Sequence, residues 1–183
     1  MPIPIVNSIA SWFLKKRFHQ IELFLKYPNE VQNELLLDLI DEARDTEIGR
    51  QYDFNSIESY EEFANRVPIL AYEEYESLIE RSRRGESNIF WPGPIKWFAK
   101  SSGTTNSKSK FIPVSSDSLE DCHYAAGKDL LCLYLNNNEN SQLFTGKSLR
   151  LGGSKELYEE NGTVFGDLSA ILIDNMPFWA EFS

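Results

Sequence analysis

Apolar residues recur at helical spacing through the first 85 positions and in short runs after residue 95. Ile9, Trp12, Phe13, Ile21, Phe24 and Leu25 form the first series, with Ser8 as the expected N-cap and Pro28 as its interruption. Val31, Leu35, Leu36, Leu39, Ile40 and Ala43 follow a 3.6-residue period, predicting a second helix capped by Asn29 and ending before Gly49. Ser59 and Glu62 have the spacing of a capping box for a short third helix. A fourth is predicted over 71–84, closed by Gly85.

Trp91-Pro92-Gly93-Pro94 cannot continue a helix and marks a change of architecture. Beyond it comes an apolar run over 95–99, a polar loop over 100–110, a second run over 111–114 and a helix over 117–135. This is α/β punctuation. Residues 148–151 and 169–173 read as further buried strands. Residues 1–90 are thus expected to be a helical section and 91–183 part of an α/β subdomain. No internal repeat is visible.

The length of 183 residues supports one core and excludes a complete multidomain enzyme. With 28 acidic residues against 18 basic ones the net charge is -10, which argues against a nucleic-acid or anionic-membrane partner. No stretch has the roughly 18 consecutive apolar residues of a membrane span, and no leader is evident at the N-terminus. Cys122 and Cys132 lie ten residues apart in one predicted helix, about 15 Å along its axis, too far for a disulfide. A cytoplasmic location is the expectation.

Charge patterning adds the first candidate chemistry. No acid occurs from Ser87 to Ser116, whereas Lys96, Lys100, Lys108 and Lys110 all fall there. Residues 100–110 hold six hydroxyls, one glycine and three lysines between two apolar runs. Hydroxyls and backbone N–H groups donate to phosphate oxygens, glycine permits close approach, and the lysines supply charge that no neighbouring acid neutralises. On composition alone, such a loop is more commonly a surface connection than a site.

The string from Trp91 to Val114, with Lys100-Ser101-Ser102-Gly103-Thr104-Thr105 at its centre, resembles the first nucleotide-binding motif of the Gretchen Hagen (auxin-responsive) family of acyl-acid amido synthetases, with bacterial-type members nearest in pattern. The resemblance extends through Glu47-Ile48-Gly49-Arg50-Gln51-Tyr52, Arg66-Val67-Pro68-Ile69, Asp121-Cys122-His123-Tyr124 and Gly166-Asp167-Leu168-Ser169-Ala170, so it covers essentially the whole chain. It implies an adenylate-forming enzyme of α/β class, α+β in this fragment, with a helical section leading into part of the large N-terminal domain. The implied reaction has two steps. A carboxylate attacks the α-phosphate of Mg-ATP, and an amino-acid amine then attacks the acyl-adenylate.

By motif match, Ser101, Ser102, Gly103, Thr104 and Thr105 line the phosphates, Lys110 matches the lysine that ends the loop, and Lys108 is a second contact. Asn106-Ser107 stands where the superfamily often has glycine. The helix over 117–135 is expected to flank the acyl pocket, putting His123 and Tyr124 near substrate. ATP and Mg2+ are implied, with the metal's ligands outside this chain. Family members are several times longer, and their later nucleotide motifs find no match here. The chain is therefore expected to be an N-terminal piece, inactive alone and prone to self-association through uncovered apolar surface. The alternative is a truncated noncatalytic relative acting as a binding or assembly module.

Other signals point to structure. Thr145-Gly146-Lys147-Ser148 lacks the upstream glycine of a P-loop. Gly152-Gly153 reads as a turn, and Cys122-His123 lacks the partners of a metal site. Lys15-Lys16-Arg17 beside Trp12 and Phe13 reads as a helix docking its aromatic face on the core. Asn161-Gly162-Thr163 is a glycosylation sequon without meaning in the cytoplasm, and Glu73, Glu74, Glu76 and Glu80 read as a solvated helix face.

Overall fold

The computed structural model describes residues 4–101, 109–145, 149, 152–177 and 180. These form two compact units, one drawn from segments 1–28, 116–152 and 172–183, the other from 29–115 and 153–171.

In the first unit, helices α1 (Pro4–Lys15) and α2 (Phe18–Lys26) pack on α7 (Ala125–Asn137). The continuous apolar series at the start of the chain is thus two helices, and Ser8 lies inside α1 rather than capping it. The break falls at Arg17, whose N–H donates to the Leu14 carbonyl and whose Nε donates to Asp129 Oδ1 of α7 at 2.6 Å. Leu14, Ile21, Cys132 and Leu135 are buried, whereas Trp12 is 62% and Phe13 58% exposed. The expected docking of the aromatic face is therefore overturned. An aliphatic stripe faces the core, and the Lys16 ammonium stacks on the exposed Trp12 ring at 3.6 Å. The helix expected over 117–135 is present, but it opens with a wider π-helical turn, Ser118–Tyr124, before α7.

The second unit begins with α3 (Pro28–Ala43), in which Pro28 itself starts the helix because its fixed φ suits the first turn, so Asn29 is not the cap. The chain turns through Thr46, which is buried. Its hydroxyl donates to the Ala43 carbonyl at 2.7 Å and accepts from Gly49 N–H at 3.0 Å, capping α4 (Glu47–Gln51). Gly49 therefore sits inside a helix instead of ending one. A Cβ there would lie 2.1 Å from the Ala43 carbonyl oxygen, so the position needs glycine for close approach.

Ser59 caps α5 (Tyr60–Arg66) by accepting from Glu62 N–H, and the Glu62 carboxylate returns to Glu58 N–H. Helix α6 (Tyr72–Arg83) starts with Glu74 accepting from Ala71 N–H and ends at Gly85, where φ is +91°. Ile40, Ala43, Phe54 and Ile57 form one core cluster of this unit.

The strands form one sheet of order β2-β1-β4-β3, in which β1 (Trp97–Lys100) runs antiparallel to β2 (Phe111–Val114) and parallel to β4 (Thr163–Gly166), and β4 pairs antiparallel with β3 (Leu157–Glu160). Phe98, Phe111, Pro113 and Phe165 share a face by register. Phe98 is fully buried in the core with Ile79 and Ile95, and Tyr72, Tyr75, Phe111 and Phe165 pack against this cluster. The Arg83 guanidinium lies 4.0 Å from the Phe111 ring centre, closing the end of that layer.

One sequence expectation changes here. Residues 169–173 are not a strand but part of α8 (Leu168–Asp174), nucleated by the Asp167 carbonyl, which accepts from Ala170 and Ile171 N–H. A short apolar run fits either element, and no period separates them at that length. The expected strand over 148–151 lies outside the described residues except for Leu149, which is exposed. The unforeseen β3-β4 hairpin turns on Asn161-Gly162, with φ of +53° and +80°. Asn-Gly is the strongest short hairpin signal, so the sequon was a structural signal after all.

Candidate functional site

The ladder between β1 and β2 ends at the pair Lys100 and Phe111. One step beyond it, Ser101 and Lys110 continue the pairing. Ser101 N–H donates to the Lys110 carbonyl at 2.9 Å, and Lys110 N–H donates to the Ser101 hydroxyl at 3.2 Å. These two bonds fix both ends of the polar loop. Of the residues expected to line a phosphate, Ser101 and Lys110 are thereby brought side by side. Ser102, Gly103, Thr104, Thr105 and Lys108 lie outside the described residues.

Helix α6 supplies the rest of the loop base. Strand β2 is an edge of the sheet, and the Phe111 N–H donates to the Tyr72 hydroxyl at 2.9 Å. Lys110 Nζ lies 2.9 Å from Glu73 Oε1 and 4.9 Å from the centre of the Tyr72 ring. The Lys110 ammonium holds the Glu73 carboxyl below its usual range, chiefly through this hydrogen bond.

One expectation is corrected by this contact. Lys110 does have a neutralising acid, brought from 37 positions upstream by the packing of α6 on the sheet. The acidic run of α6 is a largely solvated face as expected, with Glu73, Glu74 and Glu76 exposed, but some of its acids are also engaged. Glu73 grips Lys110, Glu74 caps the helix and Glu80 pairs with Arg83 at 2.7 Å. The signal available in sequence was the aromatic-acid pair Tyr72-Glu73 at the start of a helix. Nothing in the spacing to Lys110 reveals it.

The frame is set by the other segments that carry the resemblance. Glu47 receives a bidentate bond from Arg81 at 2.7 and 2.9 Å, and Arg81 also bonds Glu86, so α4 is tied to α6 by charge-assisted bonds. That pairing holds the Glu47 carboxyl below its usual range. Gly153 N–H donates to the Ser169 hydroxyl at 3.0 Å and Ser154 N–H to Asp167 Oδ2 at 2.9 Å. A Cβ on Gly153 would lie 2.6 Å from that carboxylate oxygen, so this glycine is a close-packing position against α8.

His123 and Tyr124 belong to the first unit, in its π-helical turn. Tyr124 is buried, its hydroxyl donates to the Leu172 carbonyl at 2.9 Å, and burial raises its phenol pKa. His123 beside it is half-buried. Cys122 is exposed and Cys132 buried. Among the described residues no group of three or more His, Cys, Asp or Glu side chains could hold a metal, and no helix is long and apolar enough to cross a membrane.

The chain is similar to known proteins. The GH3 family N-terminal domain model matches residues 17–183. A jasmonoyl-L-amino acid synthetase of Nicotiana attenuata is 27% identical over 176 residues, 95% of this chain and 30% of that relative. An indole-3-acetic acid-amido synthetase of Arabidopsis thaliana is 31% identical over 107 residues, 58% of this chain and 18% of the relative. In three dimensions the chain is similar to a GH3.15 acyl acid amido synthetase bound to 2,4-DB. The TM-score is 0.75 at 22% identity, covering 89% of this chain and 28% of the other. The chain thus spans less than a third of the length of these relatives. Helices leading into a four-stranded sheet are the fold they share with it, and with the family model matching nearly every residue, the chain belongs to the GH3 family, within its N-terminal domain.

Proposed function

We propose that this chain provides the N-terminal part of an ATP-dependent acyl-acid amido synthetase, which adenylates a carboxylic acid and joins it to an amino acid. The observation that carries the reading is the paired loop base. Ser101 and Lys110 are fixed to each other at the end of a strand ladder, with a hydroxyl- and lysine-rich segment between them. Such a loop suits phosphate because its donors start from a rigid scaffold.

In this reading the hydroxyls of Ser101, Ser102, Thr104 and Thr105 and the amide of Gly103 donate to the phosphates, while Lys108 and Lys110 counter the charge that builds on departing pyrophosphate. ATP supplies the leaving group, and the amide forms when the amine displaces the adenylate from the acyl carbon. The carboxylate nearest Lys110, Glu73, is engaged by it, and no metal cluster occurs among the described residues. Mg2+ arriving with the nucleotide would need no more than one or two protein carboxylates, and in this reading they come from outside this chain.

The relatives' activities support an acid and an amino acid as substrates of the whole enzyme. His123 is the better of the two acyl-contact candidates, because the Tyr124 hydroxyl is already bonded. A cytoplasmic location goes with the two free thiols, Cys122 and Cys132. Self-association of the isolated chain is supported by Ile112, 54% exposed on edge strand β2.

Calorimetric titration with Mg-ATP tests the reading, comparing the wild-type chain with a Ser102→Ala, Lys110→Ala double variant. Saturable binding that weakens at least about tenfold in the variant is expected. A folded chain with no saturable binding overturns the phosphate role and favours the noncatalytic module.

A further inference from the structure

The loop base contains a competitor for the anion it is proposed to bind. Lys110 does not extend freely into the loop. Its ammonium is held 2.9 Å from Glu73 Oε1 and 4.9 Å from the Tyr72 ring centre, both on α6. The same Tyr72 fixes the backbone beneath it by accepting from Phe111 N–H at 2.9 Å. Residues 72 and 73 together therefore determine where the Lys110 backbone sits and where its charge points.

We infer that Glu73 is a positioning residue that latches Lys110 in a resting place, from which an incoming polyphosphate must draw it. This rests on the phosphate reading of the loop and adds a regulatory contact to it. The physical basis is a competition for one ammonium. A surface carboxylate carries one charge on a mobile side chain, and both partners here are substantially exposed, 40% for Lys110 and 66% for Glu73. Such a pair is weak enough to open and strong enough to reduce affinity measurably. A polyphosphate offers more charge and several acceptor oxygens, so it wins the exchange. Glu73 then filters against weak anions, since a singly charged ligand cannot displace it so readily.

The test is a titration of the chain with inorganic triphosphate and with Mg-ATP, using Glu73→Gln, Lys110→Ala and the double variant. Glu76→Gln removes an equal charge from an exposed position on the same helix and controls for the general field. Glu73→Gln is expected to tighten binding about two- to fivefold at low salt, with the gain shrinking as salt rises. The gain should vanish when Lys110 is Ala and should exceed the Glu76→Gln effect.

If wild type binds and Lys110→Ala weakens binding while Glu73→Gln changes nothing, the latch is overturned and the phosphate reading stands. Equal gains from Glu73→Gln and Glu76→Gln also overturn it, as do equal gains with and without Lys110. If neither wild type nor Glu73→Gln binds either probe, both readings fall. A gain in Glu73→Gln over a wild type that itself binds, lost when Lys110 is Ala and fading with salt, supports the latch most directly.

Discussion

The sheet contains two antiparallel hairpins that solve the same problem in different ways. In β3-β4 the connection is two residues, Asn161-Gly162, and its positive φ values set the register without outside help. Thr163 reinforces it, its hydroxyl bonding the Glu160 and Arg83 carbonyls at 2.8 and 3.0 Å. In β1-β2 the connection is long. The register is fixed instead at its base, by Ser101 with Lys110 and by Tyr72 and Glu73 of α6. The short turn spends its residues on conformation, whereas the long connection is held by contacts at its base.

The largest break in this contrast is expected from Gly166, at the end of the short hairpin. A Cβ there would lie 2.6 Å from the Glu156 carbonyl oxygen and 2.9 Å from the Leu157 side chain. Gly166→Ala should cost about 2 kcal/mol or more, read as a lowered denaturation midpoint with unchanged slope. Next, Lys110→Ala should weaken polyphosphate binding about tenfold while shifting stability by no more than about 0.5 kcal/mol. A large loss of stability in that variant would mean that the long loop is structural like the short one.

A smaller effect is expected at Gly162, where open space surrounds the site but φ is +80°. Gly162→Ala should destabilise by about 1 kcal/mol through backbone strain alone. Circular dichroism on melting checks this, and a neutral result would show that the turn does not set the register. The smallest effect is the pH dependence of the loop base. The Glu73 carboxyl is depressed in the folded chain by Lys110, so its contribution is present above the ordinary carboxylate range and lost as pH falls through the lowered value. Melting curves of wild type and Lys110→Ala should therefore converge in acid, and a constant difference down to low pH would remove the pair from the account.

Several local signals were legible, although the expected caps Ser8 and Asn29 were not among them. Ser59 caps α5, Gly85 ends α6 and Phe111–Val114 is the strand its apolar run announced. They failed where distant groups compete. The two halves of the first apolar series separate because Arg17 reaches Asp129, and Gly49 looks like a helix terminator until the Ala43 carbonyl is seen against it. The run over 169–173 was too short for periodicity to distinguish helix from buried strand, and the Asp167 carbonyl bonds start the helix.

For the site, the sequence alone determined the content of the loop. Its hydroxyls and lysines, and the lack of any acid from 87 to 116, are properties of order along the chain, and so is the family pattern around them. Only the tertiary structure decided which charge faces Lys110. Glu73 is distant in sequence and was indistinguishable from its acidic neighbours on α6. Coulomb interactions act through space, so the partner of an ion is set by how α6 packs on Phe98, Phe111 and Phe165, which no local spacing encodes.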